Sequence, residues 1–255
     1  MSEQRDNDPA APWTFTPLGV ARTVFREKYS IPRQPGLCAA ARGTLQLRRD
    51  DALRAALKGI EGFSHLWVLY VFHATGAEAW RPTVRAPRLG GAQKVGVLAS
   101  RSPHRPNPIG MSVVELLRAE LDHPEGPRLE VRGVDLLDGS PVLDVKPYLP
   151  YADAVRRARV GWAREPVPRV AVRFTRTASA QVRTLEATRP ELRALIRGLL
   201  SLDPRPAFQQ RRLPVGAPAA QGTRWGFSVL DLEVRWEIAQ GAIVVREVTP
   251  ASEPL

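Results

Sequence analysis

The segment from Gly90 to Gly110, GGAQKVGVLASRSPHRPNPIG, restricts what this chain can fold into more than any other stretch. Pro103, Pro106 and Pro108 each remove a backbone donor and drive the preceding residue out of the α region, so no helix passes through it and few backbone paths remain. The stiff turn carries Arg101, His104, Arg105 and Asn107 between two apolar runs. Two readings stand at this point: a site built on a rigid loop, or a proline-rich surface turn whose arginines are merely solvated.

At 255 residues, 44% of them hydrophobic, the chain is long enough for one large or two smaller domains with ordinary cores. Its single cysteine, Cys38, excludes an internal disulfide framework, and neither a CxxC pair nor a histidine-rich cluster suggests structural zinc. The stretch MSEQRDNDPAAPW is polar and no run of about 18 residues lacks charge, so neither secretion nor a membrane span is expected and the cytoplasm is the expected compartment. The net charge of +11 points to a polyanionic partner, nucleic acid first, because clustered cations gain free energy by releasing counterions from phosphates. Lys28, Lys58, Lys94 and Lys146 are the only lysines, so arginine carries nearly all the positive charge. Arginine stacks on bases and grips phosphates bidentately, but a coding bias toward arginine is the competing explanation.

Along the chain, residues 14–25 alternate loosely and end in the charged turn Arg26-Glu27-Lys28, followed by the proline-fixed loop IPRQPG. Residues 41–47 predict a strand. Asp50 is a plausible N-cap for DDALRAALKG, where Leu53, Leu57 and Ile60 recur at helical spacing and Gly59 supplies a stop. HLWVLYVFH, residues 65–73, predicts a continuous buried strand. Residues 94–99, 112–117, 128–134 and 141–145 add four strand candidates at short spacing, which suggests a barrel or sandwich and not a doubly wound parallel sheet. The arginine-rich, aperiodic residues 154–168 predict a linker. Beyond it a smaller α+β domain is expected: a strand over 170–174, helices over 179–187 and 189–202 with Ser179 as cap, a stop at Asp203-Pro204-Arg205-Pro206, and one alternating strand over 227–238.

No GxGxxG follows the first strand, and no P-loop or GxSxG is present. Acidic residues gather at Asp135, Asp138 and Asp144. Three carboxylates at this spacing suit a divalent ion, Asp138-Gly139 equally suits a turn, and a carboxylate here also suits ribose hydroxyls or an amine. Of the scattered histidines, His73 ends the apolar strand and His104 sits in the proline loop.

The segments IPRQPGL, GFSHLWVLYVFH, WRPTVRAPRLGG, GVLASRSPHRPNPIGMSVVEL and DLLDGSPVLDVKPYLPYAD closely resemble the TsaA-like, TrmO-type tRNA methyltransferases over most of residues 14–153. LDPRPAF and DLEVRW resemble the C-terminal domain of bacterial members. The resemblance implies a small β-barrel that binds S-adenosylmethionine without a Rossmann sheet over residues 14–153, a linker at 154–168, and a small α+β domain at 169–250. It implies N6-methylation of N6-threonylcarbamoyladenosine next to the anticodon of threonine tRNA, with the anticodon arm as partner. It also implies a homodimer with the cofactor site near the subunit interface. Carried over by motif, the cofactor contacts are Pro32, Arg33, Gln34, His73, Ala74, Arg101, Met111 and Asp135, Leu136, Leu137 and Asp138. Ala74 stands where a polar residue is expected, which leaves a backbone contact there.

Methyl transfer is an in-line displacement, so the protein mainly holds donor and acceptor in near-attack geometry, a task that stiff proline loops suit. The acceptor nitrogen must also lose a proton, and Asp138 is the expected general base, with ribose binding as its alternative role. The threonyl carboxylate calls for a cation, expected to be Arg105 or an arginine of a partner subunit. Three other readings remain at this level: a non-catalytic RNA-binding barrel, a metal-dependent phosphodiesterase using Asp135, Asp138 and Asp144, and a methyltransferase with another acceptor.

Overall fold

A computed structural model describes residues 13–75 and 80–251, so the polar N-terminal stretch, apart from Trp13, lies outside the described residues. β1 (Gly19–Thr23) and β2 (Arg42–Leu47) are antiparallel neighbours joined by a long loop that carries Pro32–Gln34. α1 (Asp51–Ala56) follows, its cap Asp50 accepting the backbone N–H groups of Ala52 and Leu53 at 2.8 and 3.1 Å. Then come β3 (His65–Val71), β4 (Thr83–Arg85), β5 (Lys94–Gly96), β6 (Ile109–Glu120), β7 (Arg128–Arg132) and β8 (Ser140–Pro147). Six strands close into a barrel in the order β1-β2-β7-β6-β3-β8, every pair antiparallel. Closure leaves no free sheet edge, and inward side chains such as Leu45, Leu66, Val68, Leu129, Val131 and Val142 fill the interior at 1% exposure or less.

After α2 (Pro150–Asp153) the chain runs irregularly to β9 (Val172–Phe174), α3 (Arg176–Leu185), α4 (Leu192–Ser201) and α5 (Ala207–Arg212), then β10 (Arg224–Val229), β11 (Leu232–Ala239) and β12 (Ala242–Pro250). These last strands and β9 form a four-stranded sheet, β10-β11-β12-β9, with β9 parallel to β12 and α3 packed against it. The result is a mostly stranded barrel followed by a smaller α+β part, the fold class that the resemblance implies.

Several sequence expectations need correction. β3 is not buried on both faces: Leu66, Val68 and Tyr70 point inward, while Trp67 lies outside and packs on Tyr148 with ring centroids 5.9 Å apart, because a barrel strand has only one interior face. Residues 94–99 do not join the barrel; among the described residues β5 pairs only with β4, and it ends in a 3-10 turn at Val97–Ala99. α3 begins earlier than expected and is capped by Thr175, whose hydroxyl accepts the Ala178 N–H at 3.1 Å, instead of by Ser179. Residues 227–238 are a hairpin, not one strand, turning at Leu230, whose φ is 57°. α5 was not anticipated from the sequence.

Candidate active site

The proline loop is fixed by its own hydroxyls. Ser100 Oγ donates to Val97 O at 2.8 Å, while the N–H groups of Ser102 and His104 are received by Ser100 Oγ and Ser102 Oγ, both at 3.3 Å. The loop ends are tied down by Phe72 N–H to Pro108 O at 2.8 Å and Arg81 N–H to His104 O at 3.0 Å. In register with Tyr70 on β3 stands Gly110 on β6, where any Cβ would come within 2.3 Å of the tyrosine ring. The tyrosine ring therefore lies over a glycine and reaches the floor of a cleft of about 1570 Å³.

This cleft brings together Pro32, Arg33, Gln34, His73, Ala74, Arg101, Met111, Asp135 and Leu137 from five separate segments, along with Arg105 and His104. Arg101 Nη1 donates to Gln34 Oε1 at 2.6 Å, joining the proline loop to the PRQ loop. Lys28 Nζ donates to Ala74 O at 2.5 Å, so the backbone carbonyl at this small residue already has a partner. Ser112 Oγ donates to Asp135 Oδ1 at 2.6 Å. Burial pushes the Asp135 carboxyl up to about 6, against the Ser112 bond and the Arg101 charge, which favour its anion. Burial also raises the Tyr70 hydroxyl well above its ordinary value, with the Asp135 charge adding to it. At Arg33 burial lowers the guanidinium, and the charge of Asp203 opposes that. Arg105 is half-buried and has no hydrogen-bond or ion-pair partner among the described residues.

Two expected contacts do not reach the cleft. Leu136 is 1% exposed and sits in the core, and Asp138 turns its carboxylate to the Thr23 N–H at 2.8 Å and toward Arg22. Asp135 and Leu137 line the cleft, whereas Thr23 on β1 donates its hydroxyl to Leu136 O and its N–H to the Asp138 carboxylate, both at 2.8 Å. Asp144 pairs with Lys146 at 2.8 Å, so the three aspartates do not converge, and among the described residues no group of three or more His, Cys, Asp or Glu is placed to hold a metal ion. Sequence reasoning missed Tyr70, Ser112 and the C-terminal Asp203. Tyr70 and Ser112 are hidden inside apolar strands, and the only signal was a hydroxyl at an inward position of each.

Residues 20–154 match the tRNA-methyltransferase O N-terminal domain, and residues 167–251 match the TrmO C-terminal domain. The tRNA (adenine(37)-N6)-methyltransferase of Escherichia coli K12 is 42% identical over 237 residues, covering 92% of this chain and 97% of that protein. A Pseudomonas aeruginosa protein named as an S-adenosylmethionine-dependent methyltransferase is 45% identical over 224 residues, covering 88% of this chain and 91% of its own. The crystal structure of TrmO from Pseudomonas aeruginosa superposes with a TM-score of 0.75 at 38% identity, covering 94% of this chain and 99% of that one.

Proposed function

The chain belongs to the tRNA-methyltransferase O family, and from that premise we infer its activity: it transfers a methyl group from S-adenosylmethionine to N6 of adenine 37 in tRNA. The finer acceptor is our proposal too, N6-threonylcarbamoyladenosine in the anticodon arm of threonine tRNA. The observation that carries the reading is the convergence of Arg33, Gln34, Arg101 and Asp135 on one cleft, with Arg101 hydrogen-bonded to Gln34.

The donor set fits S-adenosylmethionine. Arg33 and Arg101 suit its carboxylate, the buried Asp135 suits a cationic or hydroxyl-bearing group, and Met111 and Leu137 give apolar wall. When bound, the cofactor supplies an electrophilic methyl group. Pro32, Arg33, Gln34, His73, Ala74, Arg101, Met111, Asp135 and Leu137 hold and orient it, and Leu136 and Asp138 act behind them by keeping this segment against β1. Asp135, not Asp138, is the carboxylate that this cleft offers to the departing N6 proton. Arg105, unpartnered among the described residues, pairs bidentately with the threonyl carboxylate.

Exposed apolar side chains near the cleft, Leu98 at 74%, Met111 at 49% and Ile109 at 37%, support a homodimer that covers them. Among the described residues no helix is long and apolar enough to cross a membrane, and a tRNA substrate supports the cytoplasm as the compartment we propose. Calorimetric titration with S-adenosylmethionine tests the core of this reading: micromolar binding that Arg33→Ala abolishes is expected. A folded protein that binds none leaves a non-catalytic RNA-binding barrel as the better account.

A further inference from the structure

The loop joining β1 to β2, residues 24–41, carries Pro32, Arg33 and Gln34 and lies between the barrel and the C-terminal part. The barrel holds it through Asp138 N–H to Phe25 O at 2.8 Å, Gly36 N–H to Gly133 O at 2.8 Å, and the Arg101–Gln34 bond. The C-terminal part holds it at both ends and near its middle. The Leu230 N–H donates to Val24 O at 2.9 Å, the Ser228 N–H to the Glu27 carboxylate at 2.7 Å, and Ser30 Oγ to Ser228 O at 3.3 Å. At the far end Arg169 Nη2 donates to Leu37 O at 2.6 Å, and the buried Cys38 thiol points to Leu195 O of α4 at 3.8 Å.

Arg33 sits between these anchors and shares the cleft with Asp203, whose charge acts on it. Asp203 is itself held by the fully buried Arg205 through bonds of 2.7 and 2.6 Å, and Arg205 lies 5.1 Å over the Trp225 ring and donates to Leu213 O. Breaking such a buried pair would leave an uncompensated charge, so Asp203 and Arg205 are held in place together.

We propose that the C-terminal part is a positioning scaffold for the cofactor loop: α4 and the β10–β11 hairpin hold residues 24–41 in the shape that presents Arg33 and Gln34. Cofactor affinity is thereby set by residues that do not touch the cofactor. This rests on the reading that the PRQ loop binds S-adenosylmethionine.

Gly198 on α4 is the place to press. A Cβ there would stand 2.6 Å from Cys38 Sγ, while the rest of Cys38 is 3.6 Å or more away. Alanine suits a helix interior better than glycine, so Gly198→Ala preserves α4 and instead displaces Cys38 and the loop. Cys38→Ala removes the sulfur and makes room.

The full chain and its Gly198→Ala, Cys38→Ala and double variants are titrated with S-adenosylmethionine and with tRNA, and amide hydrogen exchange of residues 24–41 is followed without cofactor. Gly198→Ala is expected to weaken cofactor binding about tenfold and speed exchange in the loop while tRNA affinity holds, and the double variant is expected to recover. Arg169→Ala should repeat the weakening from the other anchor, with Arg169→Lys restoring part of it. Unchanged cofactor affinity and exchange in Gly198→Ala, no recovery in the double variant, or a loss confined to tRNA binding would each overturn the proposal. A wild type that binds no S-adenosylmethionine sinks the cofactor reading instead, and the cofactor-free exchange still tests the scaffold.

Discussion

Asp135 and Asp138 show how a single residue's surroundings decide its role. Both belong to DLLDG and look equivalent in sequence, yet one carboxylate is buried in the cleft against Ser112 and the other caps the Thr23 N–H. Nothing in the spacing separates them, because only the packing of this segment on β1 tells which side is the cleft. Asp135 can accept a proton only when ionised, and with its carboxyl pushed up to about 6 activity should fall as pH drops through that region. Asp135→Asn should abolish most of the methyl transfer and remove the acid limb from what remains in a pH-rate profile. The stability effect has the opposite sign. Below its ordinary value of 3.8 the carboxyl is neutral in both states; between 3.8 and about 6 the unfolded chain ionises while the folded carboxyl stays neutral, so stability falls across that window and above it the folded protein carries the full cost of the buried charge. Asp135→Asn should therefore melt higher than wild type at pH 7.5, a trade of stability for activity that thermal unfolding would reveal. For Arg105, losing a charge-assisted pair predicts that Arg105→Ala raises KM for threonylcarbamoylated tRNA by about ten- to hundredfold, while the binding affinity for unmodified tRNA stays unchanged.

At the scale of elements, the barrel strands were legible and the connections less so. β2, β6, β7 and β8 carry short apolar patterns bounded by turn residues, which periodicity detects. The β10–β11 hairpin escaped because Leu230 continues the apolar alternation of Leu232, Val234 and Trp236 through the turn, and no glycine marks it. β5 escaped because an apolar run says nothing about its partner, and this one pairs with β4 in a ribbon that walls the cleft. Near the site the Tyr70 ring occupies the space that a side chain at Gly110 would need, a built Cβ there coming within 2.3 Å of the ring. Gly110→Ala should cost about 1–3 kcal/mol by overpacking, seen as a lower Tm, and should weaken cofactor binding because the ring that floors the cleft has to move.

For the whole molecule, the charge of +11 resolves into a distribution. Arg81, Arg85, Arg88, Arg105 and Arg211 ring the same cleft as the proposed cofactor contacts, which favours nucleic acid over coding bias as the reason for them. Much of the remaining arginine is tied into ion pairs, as at Arg189–Asp231 and Arg235–Glu233, and these add little beyond solubility. Affinity for tRNA should fall steeply, by at least about tenfold, between low and physiological salt, and charge-neutralising the cleft arginines should flatten that slope. The most direct test of the account is methyl transfer itself: purified protein, methyl-labelled S-adenosylmethionine, and threonine tRNA with or without the threonylcarbamoyl group, followed by digestion to nucleosides. The account predicts label on the N6-threonylcarbamoyladenosine of the modified tRNA and none on the unmodified one. Label on unmodified adenosine, or no label from a protein that binds both S-adenosylmethionine and tRNA, would contradict it.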